Sequence, residues 1–227
     1  MSEAVENEMG GLRALAGTYF HYRYAVLFYT LLLTMVAAPL LAAFGSTGAL
    51  LELFLGANLL AAVVPISTGK DRPVLLFIVT VVWLARPIIA WFDQPALSAM
   101  TLGLWTLIGL FAAASALRFA LQARQVDAEH LYAALSAYML AGIFFGLFYW
   151  VLEQIGPGTF TVGGDFSRMS AIYFSFVTLA TLGYGDIVPR TDVARGFAIV
   201  EGVGGQLFLA VMVARLVSLY AREKAAD

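Results

Sequence analysis

The chain has 227 residues, of which 61 % are hydrophobic and only 12 % are charged. Soluble domains average about 25 % charged residues, so this composition excludes an ordinary soluble protein and indicates one that crosses a membrane several times. The net charge of −2 carries no information on orientation, which follows the placement of Lys and Arg. There is no cysteine, which excludes disulfides and thiolate chemistry.

Apolar runs along the chain predict an all-α membrane protein with six spans. The predicted spans are residues 25–44, 50–66, 73–92, 96–117, 131–152 and 194–220. Residues 1–24 are expected to be a cytoplasmic and interfacial segment, and residues 25–117 a four-helix bundle. The polar stretch 118–130 is expected to lie as a helix along the inner membrane surface. Residues 221–227 are too few to fold alone and are expected to form a short cytoplasmic tail.

A short apolar run and a glycine-containing segment stand between the last two spans. Residues 168–179 are predicted to form a half-helix, which is too short to cross a bilayer and fits a re-entrant helix. The TLGYGD segment (residues 181–186) follows it. Non-helical backbone at membrane depth is tolerated only where it is buried in protein or lines a water-filled path. Gly183 and Gly185 can adopt φ > 0 between residues of ordinary conformation, which aims successive carbonyls to one side.

The TLGYGD segment resembles the selectivity filter of tetrameric potassium channels, whose usual form is TVGYGD. The resemblance implies that four copies stack rings of oxygen atoms that replace the hydration shell of potassium. The ion ligands it implies are the carbonyls of Thr181, Leu182, Gly183 and Tyr184 and the Thr181 hydroxyl. It gives Gly185 and Asp186 supporting roles, and Tyr184 is expected to point away from the axis. Residues 131–220 then form the pore domain.

The same resemblance assigns supporting residues to the half-helix. Channels of this family carry an aromatic pair there that braces the filter, and Tyr173 and Phe174 stand at the matching positions. Phe174 lacks the ring N–H of the more usual Trp, so it cannot donate a hydrogen bond to Asp186. We therefore expect a looser outer filter.

Residues of the last span are candidates for gating. Gly205 matches the hinge glycine of the family, although close packing of helices is an equal alternative. Leu209, Val213 and Val217 are expected to line the cavity and could form a hydrophobic constriction that gates by dewetting. An acidic group inside a span is costly, so Glu201 has either a structural role behind the half-helix or an electrostatic role near the cavity. Gln206 could form a hydrogen bond across the subunit interface.

The distribution of basic residues predicts the orientation of the chain. With six spans, nine of the 13 Lys and Arg residues lie on the side of the two termini and four on the other side. The positive-inside rule then places both termini in the cytoplasm and the TLGYGD segment near the outer face. The family resemblance implies the same orientation independently. Plasma-membrane localisation in a prokaryote is expected.

Voltage gating is not expected from the fourth span. Steep gating needs about three to four charges per subunit, each contributing about 2.3 kcal/mol per 100 mV. Residues 96–117 contain no Lys or Arg, and Arg118 lies at the inner end where it can reach the headgroups. Arg86 is the only basic residue inside the first four predicted spans.

The sequence therefore predicts a homotetrameric, potassium-selective channel whose partners are membrane lipid, potassium ions and copies of itself. The alternatives are a weakly selective cation channel and a potassium transporter. Transporters of related ancestry repeat the pore loop within one chain, whereas only one such loop is present here. The chain lacks paired carboxylates, a His cluster or a phosphate-binding glycine loop at a plausible depth. We therefore expect no enzyme, no cofactor and no nucleic-acid partner.

Overall fold

The structure is a computed structural model that describes residues 22–43, 48–66, 72–91, 95–122 and 127–224. Within these ranges the chain forms seven helices and two short strands. They are α1 (Arg23–Ala43), α2 (Gly48–Ile66), α3 (Arg72–Trp91), α4 (Pro95–Gln122), α5 (Ala128–Ile155), β1 (Phe160–Thr161), α6 (Arg168–Leu179), β2 (Val188–Pro189) and α7 (Asp192–Lys224). Most of the predicted N-terminal segment and the last three residues lie outside the described ranges.

Three of the helices are long and apolar enough to cross a membrane. These stretches, found among the described residues, are Leu97–Gln122 in α4, Ala128–Ile155 in α5 and Asp192–Arg215 in α7. Shorter apolar stretches occur in α1, α2 and α3. The chain is therefore a mostly helical membrane protein with three candidate spans, and the prediction of six spans extends beyond this finding.

The predicted surface linker differs from the structure at both of its ends. α4 continues to Gln122, five residues beyond the predicted end of the fourth span, and α5 begins at Ala128. Residues 123–126 lie outside the described ranges. Asp127 caps α5 by accepting a hydrogen bond from the backbone N–H of His130, so the new helix begins within the stretch expected to be linker. The tail also differs, because α7 extends to Lys224.

α5 is the central helix of the fold. Its residues Leu140, Ile143 and Phe144 are almost completely buried and belong to one core with Leu27 of α1 and Trp105 of α4. This core therefore joins the first bundle to the last three helices within a single chain.

The start of α5 also holds the start of α1. A carboxylate oxygen of Glu129 accepts a hydrogen bond of 3.1 Å from the backbone N–H of Tyr24. The Tyr24 ring stacks on Phe119, whose other neighbour is the His130 ring at 4.5 Å. A carboxylate at a helix N-terminus satisfies a free N–H group and favours the positive end of the helix dipole.

The loop between α5 and α6 is ordered by backbone hydrogen bonds. β1 and β2 are antiparallel, and the N–H of Arg190 donates to the carbonyl of Thr159 at 2.8 Å. The Glu153 carboxylate accepts hydrogen bonds from the N–H groups of Gly158 and Phe160. Since β2 begins two residues after the TLGYGD segment ends, this loop anchors the C-terminal end of that segment.

Candidate functional site

The TLGYGD segment turns back from the end of α6, and the strand that follows it, β2, pairs with β1, which precedes α6. Ser167 caps its start by accepting a hydrogen bond of 3.1 Å from the N–H of Ser170. At its end, the Val177 carbonyl accepts hydrogen bonds from the N–H groups of Leu182 and Gly183 at 2.9 and 3.4 Å. These bonds fold the first residues of the segment against the last turn of α6, so the chain reverses there. The predicted bounds of the half-helix, 168–179, agree with the structure.

Alternate residues of the segment have left-handed backbone. φ is +56° at Thr181, +59° at Gly183 and +80° at Gly185. The two glycines behave as predicted, because without a Cβ they adopt positive φ at little cost. Thr181 is the only non-glycine residue with positive φ in the described part of the chain. A β-branched residue is an outlier there, so the surrounding structure must hold it in place.

Tyr173 of α6 supports this segment by packing against Tyr184. Their rings are nearly parallel, at 10°, with centroids 6.5 Å apart. The Tyr173 hydroxyl faces the Asp186 carboxyl group. The looser filter expected from the missing donor at Phe174 stays a prediction.

Phe174 lies in an aromatic cluster with residues of α5 and β1. Its ring packs edge-on against Tyr149 at 5.1 Å and Phe160 at 5.3 Å between centroids. Ile187, the residue after the TLGYGD segment, is buried in the same cluster. The two residues of the predicted aromatic pair therefore have different contacts. Tyr173 contacts the segment directly, whereas Phe174 packs in the cluster that contains Ile187.

Gln206 contacts the first residue of the segment. Its side-chain Nε2 donates to the Thr181 hydroxyl at 3.1 Å within the same chain. The hydrogen bond expected across a subunit interface stays a prediction. This contact is one of those that hold Thr181 at positive φ.

Gly205 is a close-packing position. A Cβ added there would collide with the carbonyl oxygen of Leu179 at the end of α6. Gly202 would make only ordinary contacts, and a Cβ on Gly204 would meet nothing within 4 Å. Packing therefore accounts for the glycine at 205, whereas Gly202 and Gly204 have no comparably close contact. The hinge role of Gly205 remains a prediction.

Glu201 is buried among hydrogen-bonding groups behind α6. Its side chain is 1 % exposed. The Tyr149 hydroxyl donates to one carboxyl oxygen at 2.8 Å, and the Ser175 hydroxyl is hydrogen-bonded to the other. This arrangement matches the structural role for Glu201 that was weighed from the sequence.

The candidate gate residues lie further along α7. Leu209, Val213 and Val217 are between 43 and 63 % exposed in the single chain. The structure brings them to no part of the TLGYGD segment, so their role in a constriction remains a prediction.

Three residues of the site were not identified from the sequence. Tyr149 and Ser175 hold Glu201, and Glu153 orders the loop before α6. A buried carboxyl in an apolar helix signals that polar partners must exist. Which hydroxyls serve as partners depends on how three helices pack, and no local pattern reveals that.

Comparison with known proteins places the same region in a family of channels. The family described as "Ion channel" matches residues 133–222, which include α6, the TLGYGD segment and most of α5 and α7. No solved structure matches the chain significantly.

Several curated proteins resemble this part of the chain. Two pore potassium channel c of Oryza sativa subsp. japonica is 37 % identical over 91 residues, or 39 % of this chain and 18 % of that protein. Inward rectifier potassium channel Kirbac3.1 of Paramagnetospirillum magnetotacticum is 32 % identical over 92 residues, or 39 % of this chain and 28 % of that protein. Protein LctB of Bacillus caldotenax is 30 % identical over 100 residues, covering 41 % of this chain and 74 % of that protein. The chain thus spans less than a third of the length of the first two relatives.

Proposed function

The chain belongs to the family of pore-loop potassium channels, and we propose that it conducts potassium passively through a filter formed by residues 181–186. The alternating backbone carries this proposal. With φ positive at Thr181, Gly183 and Gly185, successive carbonyls can face one side of the strand. Rings of such carbonyls replace the hydration shell of a potassium ion.

Four copies of the chain form the pore in this proposal. Residues 181–186 are all exposed in the single chain, including Leu182 at 57 % and Tyr184 at 66 %. Non-helical backbone cannot face lipid at membrane depth, because its polar groups would lack partners. Other copies of the same segment would cover it and complete the oxygen rings around a water-filled path.

The remaining architecture follows from the family and the sequence. We place six spans in each subunit, with both termini in the cytoplasm of a prokaryotic cell and the filter at the outer face. The first four helices form a peripheral bundle without the charges of a voltage sensor. Conduction requires no bond-making chemistry, and potassium is the permeant ion rather than a cofactor.

The bi-ionic reversal potential of the purified chain in a planar bilayer tests the function. With potassium on one side and sodium on the other, we expect reversal close to the potassium equilibrium potential. The same preparation should have the mass of four chains. A reversal potential near zero with robust current would instead identify a weakly selective cation channel, and failure to reconstitute current under any potassium gradient would count against a conducting pore.

A pair of glycine variants links the current to the proposed filter. Gly183→Ala forces a Cβ onto left-handed backbone, at a cost of about 1–2 kcal/mol in each subunit. We expect it to abolish selective current. Gly103→Ala is the matched control, because Gly103 lies in α4 and an added Cβ would meet nothing within 4 Å. Equal loss in both variants would contradict the assignment.

A further inference from the structure

Glu201 lies where α5, α6 and α7 meet, and its hydrogen bonds reach both of the other helices. Tyr149 of α5 donates to Oε2 at 2.8 Å, and Ser175 of α6 contacts Oε1. One helical turn further along, Gly205 of α7 packs on the backbone of Leu179 of α6. Glu201 and Gly205 thus form two successive contacts between α7 and α6, since residues four apart share a helix face.

The Ser175 hydroxyl has two oxygen neighbours and only one hydrogen. Its Oγ lies 2.6 Å from the carbonyl oxygen of Gly142 in α5 and also within hydrogen-bond distance of Glu201 Oε1. A carbonyl oxygen carries no hydrogen, so Ser175 must donate to Gly142 if that contact is a hydrogen bond. The contact between Ser175 and Glu201 then requires a hydrogen from the carboxyl group.

The alternative assignment leaves a repulsive contact. If Glu201 were ionised, both its oxygens would be acceptors only, and Ser175 would have to donate to it. The Ser175 and Gly142 oxygens would then face each other at 2.6 Å with no hydrogen between them. A protonated Glu201 removes the conflict, because each close pair of oxygen atoms in the cluster then shares one hydrogen.

The surroundings of the carboxyl group also favour the neutral form. Among the described residues, the titratable groups that face it are Tyr149 and Tyr138 of α5, and neither can carry a positive charge. A cavity of about 330 Å³ adjoins it, and α4 contributes only apolar residues to the wall: Leu110, Ala113, Ala114 and Leu117. Burial of a charge without a charged partner is unfavourable, and such a group binds a proton instead.

We propose that Glu201 is a neutral carboxylic acid that donates its proton to Ser175 and thereby positions α6 against α5 and α7. The chain of bonds runs from Glu201 to Ser175 and on to Gly142. α6 then presents the Val177 carbonyl to the first residues of the TLGYGD segment. Glu201 is a positioning residue, and its effect on selectivity rests on the proposed function, whereas its protonation does not.

Infrared spectroscopy of the full chain in lipid tests the protonation directly. A protonated carboxyl group has a C=O stretching band that is separate from the bands of carboxylates. In the difference spectrum between wild type and Glu201→Gln at neutral pH, we expect this band to be lost in the variant. Asp186→Asn is the matched control, since it also removes one carboxyl group. A difference spectrum that instead shows loss of a carboxylate band in Glu201→Gln would overturn the proposal.

Conduction by three variants tests the positioning role. Glu201→Gln keeps a donor and an acceptor without charge, so we expect an unchanged reversal potential. Glu201→Ala removes both, and we expect the reversal potential to shift toward zero. Tyr149→Phe removes only the bond to Oε2, so we expect a smaller shift of the reversal potential. This variant provides the test if Glu201→Ala does not assemble into channels. If Glu201→Gln is impaired as much as Glu201→Ala, the ionised form is required and the proposal is wrong. If the wild type is itself unselective, the proposed function fails while the infrared result still decides the protonation.

Discussion

Tyr173 performs two tasks at the TLGYGD segment with different parts of one side chain. Its ring stacks on Tyr184, and its hydroxyl faces the Asp186 carboxyl group. This residue therefore couples the position of α6 to the C-terminal end of the proposed filter.

Removal of the Tyr173 hydroxyl should loosen the C-terminal end of the proposed filter. Tyr173→Phe keeps the stacked ring and removes the hydroxyl that faces Asp186, so we expect current to decline faster during sustained conduction. The measurement is the decay of macroscopic potassium current. Tyr29→Phe is a suitable control, because it removes a hydroxyl bonded to Tyr132, far from the segment. An unchanged decay rate in Tyr173→Phe would show that the hydroxyl does not support the filter.

At the scale of the helix, close packing determines which glycines of α7 can be replaced. Gly205 contacts the backbone of α6, which cannot move away as a flexible side chain could. Gly204 has open space in the single chain. Glycine within a helix costs about 1 kcal/mol relative to alanine, so it persists where a contact requires it.

We expect Gly205→Ala to destabilise the pore domain and Gly204→Ala to be tolerated. The added methyl at 205 must separate α7 from α6, and overpacking typically costs about 1–3 kcal/mol. The thermal unfolding midpoint of the purified protein in detergent, measured for both variants, checks this. A larger loss at 204 than at 205 would indicate that contacts between subunits, rather than within one chain, determine these positions.

The N-terminal cap of α5 leads to a second prediction at the scale of the helix. The backbone N–H of His130 donates to Asp127 and holds the pKa of that carboxyl group below its usual value. A lowered pKa contributes stability that is fully present above the unfolded value, near pH 4, and is lost as the pH falls through the folded value.

Loss of this cap should weaken the start of α5. Asp127→Ala is expected to lower stability by about 1 kcal/mol, whereas Asp127→Asn should retain most of it because Asn also caps. Unfolding midpoints between neutral pH and pH 3 measure both the loss and its pH dependence. Equal midpoints for wild type and Asp127→Ala at neutral pH would mean that the cap does not contribute.

At the scale of the whole molecule, the first bundle and the last three helices share one core. Leu27 of α1 and Trp105 of α4 pack with Leu140 of α5. The first bundle is therefore packed firmly against the last three helices of the chain. Arg118 is the only basic residue in α4.

We expect open probability to lack steep voltage dependence. A sensor needs about three to four charges in each subunit, and α4 supplies one, near its C-terminal end. Single-channel recording across a range of positive and negative voltages measures this. A steep sigmoidal dependence that is abolished by Arg86→Gln would contradict the prediction and identify α3 as a sensor. Arg118→Gln is the control for the loss of one basic charge.

The sequence by itself determined the membrane character, the bounds of α6 and the positive φ of Gly183 and Gly185. These depend on composition, on the length of an apolar run and on the absence of a Cβ, all of which are local properties. Only the tertiary structure decided that the Tyr173 ring stacks on Tyr184, that Gln206 bonds to Thr181 and that Gly205 packs on Leu179. Each of these contacts joins elements whose relative position arises from packing, so no spacing along the chain encodes it. For Glu201, the sequence showed that an acidic group inside a span is costly. It did not show which residues form hydrogen bonds with that group.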